Sequence, residues 1–365
     1  MLLDLSPDQE FFRETTARFL AAHAPVDELR RMRHDAVGFD RDYWKRGAEL
    51  GWTSLLVAEA HGGGSISGEG VVDLTLIAHE FGNAAAPGPF VPTNLVASAL
   101  SATNTRLDVV EGLIAGTSIA SWCDEVGSIS VDGSDIVIHG THRPVESATE
   151  AEHFLVTGGT DDGLSQVLVP RDADGLTIEP LHTVDLTRRF SSVRFDEVRV
   201  PADAVVGEIG AAAEQVERQR HLAVAMLNAE SVGAMQRSFD MTVEWAFDRY
   251  TFGRPLASYQ ALKHRFADMK SWLEAAHAIS DAATAAVHAR DAGGPELVSA
   301  AKAYIGQFGP ELTHECIQLH GGIGLTFEHD VHLFHRRVIL NSALFGTPAE
   351  HRQRVASIFE ESVLE

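Results

Sequence analysis

At 365 residues the chain is long enough for two or three domains around a large buried core. Its 45% hydrophobic and 22% charged residues are those of an ordinary globular protein. A net charge of -23 speaks against nucleic acid and anionic membrane surfaces as partners, because both need clustered Lys and Arg, yet a local basic patch would still serve an anionic ligand.

The first region, residues 1–120, reads as a helical domain. Ser6, Pro7 and Gln9 form a helix start: a capping hydroxyl, a proline at the first helical position and an amide placed for a capping box. Ala- and Leu-rich segments follow, broken at His61-Gly62-Gly63-Gly64 and at Pro87-Gly88-Pro89. The run from Met1 to Ser6 lacks the basic start and apolar stretch of a signal peptide. No segment approaches the roughly 18 consecutive apolar residues of a membrane span. With two cysteines, Cys123 and Cys316, far apart in sequence, the expectation is a cytoplasmic protein without a disulfide framework.

In residues 121–205 the apolar period shortens to that of strands. The segments beginning at Asp135, His153, Gln166 and Ser192 are short, β-branched and separated by Gly and Asp, which predicts a small antiparallel β domain. Val193, Phe195, Val198 and Val200 are predicted to face its core, with a bulge or turn at Asp196-Glu197.

Residues 206–365 return to helical periodicity. Met235, Phe239, Thr242 and Ala246 form one stripe, and Tyr259, Leu262, Phe266, Met269 and Leu273 another, both expected in a bundle core. The whole is α+β: helices, a β domain, then helices.

Three motifs carry chemistry. Arg249-Tyr250-Thr251-Phe252-Gly253 ends one helix and, with Gln260, offers a guanidinium fork, a stacking face and an amide. Gln318-Leu319-His320-Gly321-Gly322-Ile323-Gly324 offers bare backbone N–H groups suited to a pyrophosphate. Glu328, Arg336 and then Leu344-Phe345-Gly346-Thr347 follow in order. Together with Glu49-Leu50-Gly51-Trp52, the Glu59 to Gly64 segment and the Phe195 to Gly207 stretch, these motifs resemble the acyl-CoA dehydrogenase family over nearly the whole chain.

That resemblance implies the fold of the family: an N-terminal helical domain, a middle β domain and a C-terminal four-helix bundle. It implies FAD as cofactor and acyl-CoA as substrate, with Arg249, Phe252, Gln260, Gln318, Gly321, Gly322 and Thr347 as cofactor-binding positions. Most of these would serve a flavin held mainly by a neighbouring subunit. It also implies an electron-transfer flavoprotein or another external electron acceptor.

Other positions depart from the family pattern. The glutamate that removes the substrate's α-proton in many members is Phe345 here, and a commonly used alternative position is Ala223. The segment at Ser121 to Ser128, expected to hold the flavin ring, keeps only Glu125 and Ser128. At His142 to Ser147 the expected tryptophan and threonine are missing, and Pro144 cannot donate a strand hydrogen bond. The resemblance therefore points to a degenerate subunit of the actinobacterial α2β2 steroid-CoA type, with a paralogous subunit as partner.

Three alternatives stand beside it: a homomer using Glu230 as base, its pKa raised by apolar neighbours; a scaffolding paralogue without flavin; and an oxidase or monooxygenase. His314, Cys316, His320, His329, His332 and His335 crowd one region, but much of the set falls within the flavin-family stretch and no metal is expected. Cys123 has no evident histidine to activate it as a nucleophile.

Overall fold

The computed structural model describes residues 5–364. Helices come first: α1 (Pro7–His23), α2 (Val26–Arg31), α3 (Arg41–Glu49), α4 (Gly70–Ala84), α5 (Phe90–Ala102) and α6 (Leu107–Ile114). The capping box of α1 is in place. Ser6 Oγ accepts from the Gln9 amide at 3.3 Å, and Gln9 Oε1 accepts from the Ser6 amide at 3.0 Å. The Gln9 side chain also donates to Asp73 at 2.9 Å, so one residue caps α1 and pins it to α4. A short 3-10 turn, Glu59–His61, ends at Gly62 in the left-handed region at φ 83°, and Pro87, Gly88 and Pro89 lie in the break between α4 and α5, where the glycine and proline clusters predict interruptions.

The central sheet has seven strands: β1 (Ala120–Cys123), β2 (Ser128–Asp132), β3 (Asp135–Glu146), β4 (His153–Thr160), β5 (Gly163–Pro170), β6 (Leu176–Leu181) and β7 (Phe190–Pro201). It is mixed rather than purely antiparallel. β1 runs parallel to β4, with Ala120 opposite His153 and Cys123 opposite Val156, and β2 touches β4 in parallel at Ser128 and Gly159. The reason is the path of the chain. β1 and β2 follow one another along the same edge of β4, and β3 carries the chain back before β4 begins.

Val193, Phe195, Val198 and Val200 of β7 are all buried. Between Ile138–Val198 and Gly140–Phe195 the β3–β7 register slips, so Asp196-Glu197 is the predicted bulge, with Glu197 in the left-handed region at φ 52°. A second slip falls between His142 and Val145, where Arg143 and Pro144 interrupt β3.

The C-terminal part comprises α7 (Ala213–Asp248), a two-stranded hairpin of β8 (Tyr250–Thr251) and β9 (Arg254–Pro255), α8 (Gln260–Ala289), α9 (Gly294–His320), α10 (Val331–Ala343) and α11 (Pro348–Leu364). Met235, Phe239, Thr242 and Ala246 of α7 are buried. The α8 stripe divides. Met269 and Leu273 enter the core, but Tyr259, Leu262 and Phe266 are only half-buried. At that end the helix lies beside the surface hairpin, where Tyr259 donates to the Thr251 carbonyl at 2.7 Å and the Arg254 guanidinium covers its ring.

α4 and α7 cross at backbone contact. A Cβ on Gly82 would stand 1.8 Å from the Glu230 carbonyl oxygen, and one on Gly233 would stand 2.0 Å from that of His79. Two glycines, one from each helix, thus let the N-terminal helices sit directly on the bundle.

Candidate functional site

The residues singled out in sequence occupy three places. Gln318 lies in the last turn of α9, and Gly321 and Gly322 in the 3-10 turn that follows. They line a cavity of about 630 Å³ whose walls include Ile317, Phe327, Ile339, His332, His335 and Arg336. Among the described residues no carboxylate lines it, in a chain with 52 acidic residues against 29 basic ones. A Cβ on Gly321 or Gly322 would meet nothing within 4 Å, so the backbone of the turn faces open space. The Arg33 and Arg336 guanidinium groups each lie 5.8 Å from the centroid of the Phe327 ring.

Arg249, Phe252 and Gln260 form a second, neighbouring group on the surface. Phe252 sits at the tip of the β8–β9 hairpin at φ 53° and is 95% exposed. Arg249 and Gln260 are exposed as well. A ladder of rings joins this group to the glycine turn: the Arg249 guanidinium lies 5.9 Å from the Trp245 ring, Trp245 stacks on His320 at 5.4 Å, and His320 meets His329 at 4.3 Å.

The third place is the cleft between the sheet and α10. Phe345 stands there at φ 55°, its ring stacked on Trp122 with centroids 5.7 Å apart and planes 20° from parallel. Trp122 is fixed by its indole N–H donating to Thr157 at 3.0 Å. The two rings, with Phe190, Leu340 and Leu344, line a cleft of about 370 Å³ that also receives Asp124, Arg143 and Glu146. Burial raises the Asp124 pKa, although Arg220 Nε lies 3.1 Å from both of its oxygens. Thr347 borders the outer mouth of this region, but its hydroxyl and amide both donate to Glu350, so it caps α11.

Glu230 is not an isolated carboxyl in an apolar setting. It is buried, and Arg337 donates to one oxygen at 2.5 Å. Asn341 at 2.8 Å and Arg188 at 3.3 Å reach the other. Arg337 also binds Asp185 and Thr187 and donates to the Ala85 and Ala86 carbonyls. Arg188 forks onto Glu146. This network ties α4, the sheet, α7 and α10 together. Burial works against the Asp185 carboxylate, but Arg337 and the Thr187 amide together hold its pKa below the usual range. For Glu146 burial outweighs Arg188, and its pKa is raised.

Lys302 in α9 borders the network, donates to the Asn341 carbonyl and is 2% exposed. Burial, with Arg188 nearby, pushes its pKa down to about 7. Both cysteines are buried thiols with raised pKa, driven by burial, so neither is poised as a nucleophile. Among the described residues no three His, Cys, Asp or Glu side chains converge as a metal site requires. Nor is any helix among them long and apolar enough to cross a membrane.

Two features went unseen in the sequence. The Trp122–Phe345 stack joins residues more than two hundred positions apart. The charge network likewise joins residues distant in sequence, although a second arginine directly after Arg336 was a visible oddity.

Comparison with known proteins agrees with this architecture. The acyl-CoA dehydrogenase N-terminal domain matches residues 6–106 and the acyl-CoA dehydrogenase C-terminal domain matches residues 211–359. The acyl-CoA dehydrogenase IpdE2 of Mycolicibacterium smegmatis is 30% identical over 360 residues, covering 97% of this chain and 100% of the relative. Among solved structures, a variant of the Tcur3481-Tcur3483 steroid ACAD superposes with a TM-score of 0.88 at 25% identity, covering 98% of this chain and 99% of that one. A chain of the ChsE4-ChsE5 complex from Mycobacterium tuberculosis shares the fold with a TM-score of 0.90 at 22% identity and 99% coverage of both. With both terminal domains matched and a full-length relative at this identity, the chain belongs to the acyl-CoA dehydrogenase family.

Proposed function

We propose that this chain is the base-deficient subunit of a heteromeric, FAD-dependent acyl-CoA dehydrogenase, and that it completes the cofactor site of a paralogous partner. The observation that carries this reading is the Trp122–Phe345 stack: two aromatic rings meet in the chain's own cleft at the position where many relatives carry a proton-abstracting glutamate. A phenyl ring cannot accept a proton, and the Arg143-Pro144 interruption of β3 removes regular strand donors from the same wall.

The outward-facing elements are intact. The residues around Gly321 and Gly322 fit the adenine-diphosphate half of a dinucleotide: bare backbone N–H groups, Arg336, apolar walls and no lining carboxylate among the described residues. Arg249, Phe252 and Gln260 present a cation, a stacking face and an amide on the adjoining surface. Bound flavin supplies the hydride acceptor for α,β-desaturation of an acyl-CoA thioester. This chain's residues anchor and orient; the carboxylate that takes the α-proton belongs to the partner.

Glu230 serves charge balance in this reading, because both of its oxygens are already occupied by Arg337, Arg188 and Asn341. The steroid ACAD relative is named as a pair of polypeptides, Tcur3481 and Tcur3483, which supports a paralogue as partner and a steroid- or lipid-derived acyl group as substrate. An electron-transfer flavoprotein or similar acceptor would then reoxidise the assembly.

The test is co-expression with a paralogous family member encoding its own glutamate. Arg249→Ala and Gln318→Ala in this chain should lower the flavin retained by the assembly without dissociating the subunits. Full flavin retention in both variants would refute the shared site.

A further inference from the structure

The cavity beside Gly321 and Gly322 holds a histidine that nothing in the described chain satisfies. His332 is 8% exposed, lines the cavity, and has no hydrogen-bond partner on either ring nitrogen among the described residues. Its one close ring neighbour among them is Phe327, edge-on at 5.0 Å. A buried imidazole with both nitrogens idle is costly unless a ligand or water supplies the partner. His335 stands one helical turn on, lines the same cavity and is held by Thr313 at 2.9 Å. The imidazole ring of His314 lies 6.2 Å from that of His335 and lines the cavity too.

Charged and titratable groups reach the pair from several elements. α10 brings Arg336; α2 and the turn after it bring Arg30 and Arg33; the loop before α10 brings His329 and Asp330; α9 brings His314. The Asp330 carboxylate is taken by Arg30. Burial first, then Arg336, Arg30 and His329, push the His332 pKa down to about 4. Burial, then His314 and Arg336, do the same for His335. A pair held neutral chiefly by burial, with Arg336 adding to it, is one that an arriving anion would favour in the charged form.

We propose that His332 and His335 are ligand-facing groups of this cavity, and that binding of a dinucleotide's adenine-diphosphate half draws about one proton from solvent onto the pair, which then donates to the ligand's anionic oxygens. This rests on the reading of the cavity as a dinucleotide site. Affinity at that site is then linked to pH: the bound state holds the extra proton, so affinity falls as pH rises through the window between the free and the bound pKa.

The experiment is calorimetric titration of the flavin-depleted assembly of this chain with its paralogous partner, using ADP-ribose, whose diphosphate is a diester and does not itself titrate near neutrality. It is run at pH about 6 and about 8 in buffers of different ionisation heat. The expected result is uptake of about one proton per ligand and affinity roughly ten- to hundred-fold tighter at the lower pH. His332→Gln and His335→Gln, checked for intact folding, should each lower the proton uptake and flatten the pH dependence of binding. Binding with no proton uptake and equal affinity at both pH values would overturn the histidine proposal while leaving the dinucleotide reading in place. No binding of ADP-ribose at either pH would overturn both. Proton uptake is read on the unmodified chain, so a variant that fails to fold does not remove the test.

Discussion

The ring of Phe345 lies on the ring of Trp122, 5.7 Å between centroids and 20° from parallel, in the cleft between sheet and bundle. Phe345 holds this position from a left-handed backbone conformation, φ 55°, that costs a non-glycine residue energy. Phe345→Ala should lose about 1–3 kcal/mol, since the ring is only half-buried. It should also shift Trp122 emission to longer wavelength, judged against Trp122→Phe. An unchanged melting temperature and spectrum would mean the stack is not a feature of the protein in solution.

Glu230 tests charge balance against catalysis. Glu230→Gln leaves Arg337 and Arg188 buried with one carboxylate fewer, and a broken buried pair of this kind costs roughly 3–5 kcal/mol. We expect a large drop in melting temperature and, in the assembled enzyme, turnover per folded complex close to native. A stable variant whose turnover falls by orders of magnitude would make Glu230 the base instead.

Lys302 gives a stability signature in pH. Its folded pKa is pushed down to about 7, from an ordinary 10.5. Below the folded value both states carry the proton and the full burial penalty applies. Between about 7 and 10.5 the unfolded chain still holds a proton that the folded chain has released, so stability rises with pH across that window. Lys302→Met does not titrate. Its stability relative to native should therefore be more favourable at pH about 6 than at pH about 9, by an amount on the order of a few kcal/mol. A difference that stays flat with pH would contradict the assignment.

Gly82 tests the joint between the N-terminal helices and the bundle. Alanine there would place its Cβ 1.8 Å from the Glu230 carbonyl oxygen, a backbone atom that cannot swing aside. Gly82→Ala should cost roughly 3 kcal/mol or more, or prevent soluble folding, whereas Gly322→Ala places its Cβ in open space without a left-handed backbone. Equal melting temperatures for Gly82→Ala and native protein would rule out the close crossing.

Local signals read well from sequence because their causes are local. The Ser6–Gln9 capping box, the breaks at Gly62 and Pro87, and the bulge at Asp196-Glu197 each depend on residues within a few positions of one another. The parallel β1–β4 pairing did not read, because a four-residue strand such as Ala120–Cys123 does not announce its neighbour. The Glu230 environment is not legible in sequence for a related reason: Met226, Leu227 and Val232 are apolar, but its hydrogen-bond partners are Arg188, Arg337 and Asn341, the nearest of them 42 positions away. The α8 stripe at Tyr259, Leu262 and Phe266 has core periodicity yet lies half-open beside the hairpin. Periodicity reports which face is apolar, not which chain covers it. Of the expected cofactor positions, the motif around Gln318 and Gly322 converges on one cavity, while Thr347 is occupied in capping α11.

The most direct measurement is the ratio of FAD to polypeptide in this chain purified alone and after co-expression with a paralogous partner. Little or no flavin is expected on the isolated chain and about one per pair in the assembly. About one flavin bound per isolated chain would contradict it, because a self-sufficient site would then exist despite the Trp122–Phe345 stack.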